Sequence, residues 1–442
     1  MSFTPFKLPK KLLMGSATAA THIEGGVQSH NWYRWSELGM IQDGSHCKVA
    51  CDHVNRIKSD VKLLKKINTE TYRMGVEWSR IEPEEGKFSK KGIEVYRKEI
   101  ELLVANGIRP CVTLWHFSNP LWLEDDGGWI SSKVVQRYIR FVHFVVDQLG
   151  DLVQDWVTIN EPNVYLLFGY FEGRWPPGKK GRLISYLRGA THFAHAHVLA
   201  YKQIHKQLKE KGQKDVHVGV AHHLRIFDHF DKRKLTKTAA SISKWLFQWM
   251  YLESMTYGRF VFPLIAFHIK LKPRRYADFI GINYYSRDMV KGILNPATMF
   301  NELHVKEGKA VNDLGWEIYP KGLYRITKSV YKRYKIPIWI TENGICDAED
   351  SQRAKFIYDH LKALRRSIKK GVDIQRYYHW STMDNFEWAE GVTPRFGLYH
   401  NDYETQKRTL RNSGKFYAEI CKKKRVTDKM IEKYLSKDSN MD

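Results

Sequence analysis

Polar and aromatic side chains follow directly on several short apolar runs: His116, Asn160 with Glu161, Asn283 to Tyr285, and Glu342. Two of these residues, Glu161 and Glu342, are carboxylic acids far apart in the chain. A pair of carboxyl groups brought together can cleave an acetal. One protonates the departing oxygen while the other attacks or stabilises the carbon, because the transition state resembles an oxocarbenium ion. Either acid alone is an ordinary surface residue, so the reading depends on whether the fold makes them neighbours.

The elements available to do so are eight apolar, β-branched runs, at residues 12–17, 71–76, 109–114, 156–159, 217–221, 279–283, 338–341 and 375–380. Segments of helical period lie between them. Ile93, Tyr96, Ile100 and Leu103 form one stripe, and Val134, Tyr138, Phe141, Val142, Val145 and Leu149 another. The alternation predicts an α/β fold with a parallel sheet and crossover helices, and eight strands are the number a closed (β/α)8 TIM barrel needs. In such a barrel the loops at the carboxyl ends of the strands converge on one face, where Glu161 follows the fourth strand and Glu342 the seventh. With no internal repeat, low-complexity tract or Pro/Gly/Ser linker, the expectation is one barrel domain over residues 1–442, ending in a basic helical tail at about 421–442.

Seven motifs resemble those of glycoside hydrolase family 1, in the family's order: MGSATAATHIEGG (14–26), TYRMGVEWSRIEP (71–83), VTLWHFSNP (112–120), TINEP (158–162), DFIGINYY (278–285), ITENG (340–344) and WSTMDNFEWAEG (380–391). One NEP or ENG triplet is commonplace; seven in register, spanning residues 1 to about 420, are specific. The resemblance implies a retaining β-glycosidase with Glu161 as general acid/base and Glu342 as nucleophile, their carboxyl groups about 5–5.5 Å apart. Arg73 resembles the family arginine beside the nucleophile, where a cation favours the charged carboxylate, and Tyr285 resembles its hydrogen-bond donor. His116, Asn160, Asn283, Glu387, Trp380 and Trp388 match positions that hold the non-reducing sugar, Phe396 closes one side, and Trp316 matches a platform for the aglycone. Glu387 disfavours a sugar phosphorylated at position six.

Two positions depart from the family pattern. His22 stands where most relatives carry Gln, and an imidazole cannot capture two adjacent hydroxyls as an amide does. Phe117 replaces a Trp and removes an indole donor. These changes leave open whether glucose, galactose or fucose is preferred. Two other readings also stay open: a sugar-binding pseudoenzyme, and a transglycosidase working through the same intermediate.

The resemblance implies a small-molecule glycoside or oligosaccharide as the partner. No run reaches the roughly 18–20 apolar residues of a membrane helix. The five cysteines, without an export signal, suit a reducing cytoplasm. Cys47 and Cys51, between His46 and His53, match no standard zinc spacing, and the resemblance implies neither a metal nor an organic cofactor. The net charge of +24 is scattered along the chain with no recognisable nucleic-acid module, and reads as a solvated surface open to weak polyanion adsorption.

Overall fold

The computed structural model describes residues 3–264, 271–295, 298 and 300–436. Eight strands close a barrel: β1 (Leu13–Ala17), β2 (Thr71–Gly75), β3 (Arg109–Thr113), β4 (Asp155–Asn160), β5 (His217–His223), β6 (Phe279–Asn283), β7 (Ile338–Asn343) and β8 (Ile374–Trp380). Every pairing is parallel, and β8 returns to β1. All eight runs read from the sequence are barrel strands. The boundaries differ at polar ends, because backbone pairing continues through side chains that hydropathy reads as loop. The fifth strand runs on to His223, and the seventh to Asn343.

The principal helices are α1 (His53–Lys66), α2 (Lys90–Ala105), α3 (Val134–Leu149), α4 (Leu183–Glu210), α5 (Met250–Tyr257), α6 (Pro320–Tyr334), α7 (Arg353–Lys369) and α8 (Asn412–Lys423). The predicted stripes on α2 and α3 are buried along their length, as period 3.6 requires of a helix laid on a sheet. The Ser89 hydroxyl caps α2 by accepting from the Gly92 amide at 3.0 Å. The expected tail boundary at residue 421 falls inside α8, whose Phe416, Tyr417 and Ile420 are buried; a short helix, Asp428–Leu435, follows. Residues 437–442 of that tail lie outside the described residues. No helix among the described residues is long and apolar enough to cross a membrane.

The amino-terminal end of the barrel is filled by an ionic and aromatic plug. Asp155, at the start of β4, accepts from Arg109 at 2.6 Å and also from Arg376. The Arg376 guanidinium lies 3.6 Å over the Trp339 ring, which stacks on Phe279 with centroids 3.6 Å apart. Burial works against the Asp155 charge, yet His217, Arg376 and Arg109 hold it below the usual carboxylate range.

The His46–Cys47–Cys51–His53 cluster is dispersed. Cys47 takes a hydrogen bond from Ser36, the Cys51 thiol faces the Asp384 carbonyl at 3.2 Å, and His46 pairs with Glu37. His53 opens α1 with Nδ1 2.8 Å from Asp60 and Nε2 3.0 Å from Glu99, and Arg408 also reaches Asp60 at 3.2 Å. Burial opposes a charged ring here, but Glu99 and Asp60 override it and raise the pKa to about 10. A folded-state value above the ordinary 6.5 means that the stabilisation is complete below that pH and fades as pH climbs through about 10. His53→Leu strands two buried carboxylates and is expected to cost about 3–5 kcal/mol, read from urea midpoints. The gap from the parent should narrow toward pH 10; a pH-independent gap would mean lost packing instead.

Candidate active site

The carboxyl ends of β2, β4, β6 and β7 deliver Arg73, Asn160, Asn283 and Glu342 to one rim, with Glu161 and Tyr285 just beyond their strands. Arg73 Nη1 lies 2.5 Å from Glu342 Oε1, and the Tyr285 hydroxyl donates to Glu342 Oε2 at 2.6 Å. Arg73 Nη2 donates to Asn160 Oδ1 at 2.7 Å. Asn283 Nδ2 donates to the same oxygen at 3.0 Å and to Glu161 Oε1 at 2.7 Å. His223 Nδ1 also meets Glu161 Oε1, at 3.1 Å. Thr341 holds the Asn283 carbonyl at 2.6 Å, fixing which way the amide points. The two acids are thus joined through Arg73, Asn160 and Asn283.

The backbone around these groups is unusual. Glu161 sits at φ 41°, ψ 57°, in the left-handed region, immediately before the short helix Pro162–Leu166. Phe117 and Trp388 also have positive φ, at 66° and 53°. Such conformations cost about 1–3 kcal/mol each and persist where the surroundings enforce them, commonly at functional sites. Gly344 is required for a different reason: a Cβ there would lie 1.8 Å from the Trp380 carbonyl oxygen, so only glycine lets the ends of β7 and β8 approach this closely.

Beside the acids lies an aromatic basin. The His22 ring is 4.1 Å from Trp388, 5.4 Å from Trp380 and 6.0 Å from His116. Phe117 packs against Trp388 at 5.2 Å and Trp175 at 4.9 Å. Asn160 Nδ2 donates to His116 Nε2 at 2.9 Å. Trp316, Phe396 and Tyr285 form a wall with ring centroids 5.8–6.3 Å apart. Five buried polar atoms in this region have no protein hydrogen-bond partner: both His22 ring nitrogens, His116 Nδ1, His223 Nε2 and Glu387 Oε2. Leaving such atoms unmet costs about 1–3 kcal/mol each.

Electrostatics follow from burial. Burial pushes His22 down to about 3, so this ring is neutral at physiological pH. His116 is held well below its ordinary value by burial, Arg73 and His22. Glu342 is pushed up to about 7, first by burial and then by the charge of Glu161, against Arg73 and Tyr285. The expectation that Arg73 keeps Glu342 ionised therefore captures one opposing force; desolvation is the larger. Glu387 is raised well above the carboxylate range by burial and by Glu390, Glu342 and Glu161.

Residues 5–426 match the sequence profile of Glycosyl hydrolase family 1. The chain belongs to that family. The 1,4-beta-D-glucan glucohydrolase of Thermotoga neapolitana is 32% identical, covering 96% of this chain and 100% of the relative. Among solved structures, the beta-glycosidase from Pyrococcus horikoshii is 33% identical with a TM-score of 0.89, covering 99% of this chain and 100% of that one. The beta-glucosidase from Thermotoga maritima in complex with deoxynojirimycin is 30% identical with a TM-score of 0.86, covering 95% and 100%. The family 1 chain described here is a glycoside hydrolase of the β-glycosidase class on a (β/α)8 barrel, as the seven motifs imply.

The site residues named from sequence lie at this rim and in the adjoining basin. Sequence reading missed His223, which contacts Glu161, and Trp175, which backs Phe117 and Trp388. His223 was within reach of the strand-end rule that selected Glu161, but the fifth strand was expected to stop two residues earlier. Trp175 lies in a loop and carries no comparable signal.

Proposed function

We propose that this family 1 enzyme hydrolyses non-phosphorylated β-glucosides, β-galactosides or β-fucosides with retention of anomeric configuration, using Glu161 as general acid/base and Glu342 as nucleophile. The observation that carries this reading is the hydrogen-bonded circuit joining the two acids, with different donors on each. Arg73 and Tyr285 neutralise and aim the Glu342 oxygens, while Asn283 and His223 orient Glu161.

The chemistry needs one proton on the pair, carried by Glu161, with Glu342 ionised against Arg73 and Tyr285. Ionised Glu342 attacks the anomeric carbon as Glu161 gives its proton to the leaving oxygen, forming a glycosyl ester and a free alcohol. The ester removes the charge from Glu342, which favours ionisation of Glu161. Glu161 then takes a proton from water, the water oxygen bonds to the anomeric carbon from the face the aglycone left, and Glu342 departs as carboxylate. Proton NMR of the first-formed sugar is expected to show the β-anomer before mutarotation; initial release of the α-anomer contradicts retention.

Unpartnered atoms on His22, His116 and Glu387 receive the sugar hydroxyls, and Trp380 and Trp388 supply apolar faces for its C–H surface. The burial that raises Glu387 above the carboxylate range also penalises a phosphate dianion brought into the same basin. The T. maritima beta-glucosidase, solved with deoxynojirimycin, supports a site of this kind.

His22 governs sugar choice. Its neutral ring offers one donor and one acceptor in divergent directions, where an amide serves two adjacent hydroxyls. His22→Gln is expected to shift the glucoside-to-galactoside kcat/KM ratio by about tenfold, the value of one well-placed hydrogen bond. Identical sugar profiles for parent and variant remove His22 from specificity.

A further inference from the structure

The turn that carries Glu387 and Trp388 is fastened from outside the basin. It spans residues 387–393 and closes on itself where the Glu387 amide donates to the Gly391 carbonyl at 2.6 Å. Trp388–Glu390 form a single 3-10 turn within it. Two of its residues hold backbone angles that favour glycine: Trp388 has φ 53°, and Gly391 has φ 80° with ψ −142°. A strained residue persists only where its surroundings over-determine it. Ring contacts fix the Trp388 side chain; the backbone of the turn needs partners of its own.

Asp43 supplies them. It is exposed, in the loop between the helix Asn31–Glu37 and α1. Its Oδ2 accepts from the Val392 amide at 2.7 Å, and from the Thr393 amide and hydroxyl at 2.9 Å each. Its Oδ1 accepts from the Ser45 amide at 2.9 Å, which aims the carboxylate. Beside it the Gln42 amide donates to the Ala389 carbonyl at 2.8 Å. A Cβ on Gly391 would lie 1.8 Å from Asp43 Oδ1, so the glycine is what lets the carboxylate reach the turn. Partial burial works against the Asp43 charge, yet the donors on Ser45 and Thr393 hold it below the usual carboxylate range.

A second tie is weaker. Arg174, from the loop after β4, donates to Glu390 at 2.9 Å, with its guanidinium 4.7 Å from the Phe168 ring. An exposed ion pair is screened by salt and contributes little. Hydrogen bonds to an ionised acceptor are about twice as strong as neutral ones, and three of them converge on Asp43 Oδ2. We infer that Asp43 is a positioning residue for the sugar-binding turn, holding Glu387 and Trp388 in the geometry that receives the glycon before substrate arrives. The inference rests on Glu387 and Trp388 being the groups that receive the sugar. A turn released from Asp43 samples other shapes, and apparent affinity falls by the fraction of molecules left in the competent one. Once the sugar is bound the turn regains its geometry, so the loss lies in binding and not in chemistry.

The test measures kcat and KM for p-nitrophenyl β-glucoside, and Ki for deoxynojirimycin, an iminosugar without an aglycone. Asp43→Ala is expected to raise KM and Ki together by about tenfold, a competent fraction of about one tenth, with kcat within about twofold of the parent. Asp43→Asn keeps one acceptor oxygen and should recover part of the loss. Thr393→Val, at an exposed position, removes one of the three donors and should raise both constants by about two- to threefold. Arg174→Met should move them by less than about twofold, and about 1 M NaCl should bring the parent to the same values. A purely structural role lowers the amount of active enzyme, and so kcat, at constant KM. That result, or unchanged KM and Ki in Asp43→Ala and Thr393→Val, overturns the inference. A rise in KM without a rise in Ki puts the effect on the aglycone and overturns it too. Glu387→Ala is the reference: an unchanged Ki there brings down the sugar assignment itself, whereas a raised Ki beside parent-like Asp43 variants removes the role of Asp43 alone.

Discussion

Glu342→Ala is expected to lower kcat for p-nitrophenyl β-glucoside by about 10⁴–10⁶-fold, the usual cost of deleting a covalent nucleophile. The truncated side chain leaves room for a small anion beside Arg73 and the Tyr285 hydroxyl, the two groups that hold the Glu342 oxygens in the parent. Added azide should therefore attack the anomeric carbon from that side as the aryloxide departs, restoring turnover and yielding the α-glycosyl azide. Recovery of the β-azide, or a loss of less than about tenfold, would remove Glu342 from the nucleophilic role. The same residue gives a stability signature. Its folded-state pKa of about 7 exceeds the ordinary 4.5, so between these values the native state holds a proton that the unfolded chain has lost. Stability then falls as pH rises through that window. Glu342→Gln, which has no proton to lose there, should make that decline in denaturant midpoints shallower, while Glu387, also raised, still contributes to it.

Glu161→Gln should divide substrates by the acidity of the leaving group. An alkyl β-glucoside, whose alkoxide cannot leave unprotonated, is expected to lose about 10²–10⁴-fold in kcat/KM, the range general acid catalysis supplies. A 2,4-dinitrophenyl glucoside needs no proton and should retain near-parent kcat/KM. Its kcat should still fall, because water attack on the glycosyl ester lacks its base, and an initial burst of dinitrophenol should appear. Azide here enters from the face the aglycone left and should give the β-glycosyl azide, opposite to Glu342→Ala. Equal losses on both substrates would reduce Glu161 to a structural role.

Much of this arrangement was legible before any coordinate. The eight strands could be counted because each is buried on both faces, and a parallel strand covered outside by helices reads as an unbroken apolar run. Glu161 and Glu342 could be placed opposite one another because the barrel forces all strand ends to one rim. His223 escaped notice because a strand boundary drawn by hydropathy stops at the first polar pair, whereas the backbone ladder continues to Asn283. The protonation balance at Glu342 was not readable either, since desolvation depends on how completely the surrounding loops cover it. The histidine–cysteine cluster illustrates the converse: four eligible ligands close in sequence, each committed to a different neighbour once the chain folds.

The plug of Asp155, Arg376 and Trp339 turns the cylinder into a vessel with one mouth. Fresh glycoside, departing alcohol, incoming water and finished sugar all share that doorway. Under the proposed retaining mechanism traffic is then sequential: a second glycoside waiting at the lip delays the exit of the first product, and an alcohol slow to leave the mouth is the nearest competitor to water for the glycosyl ester.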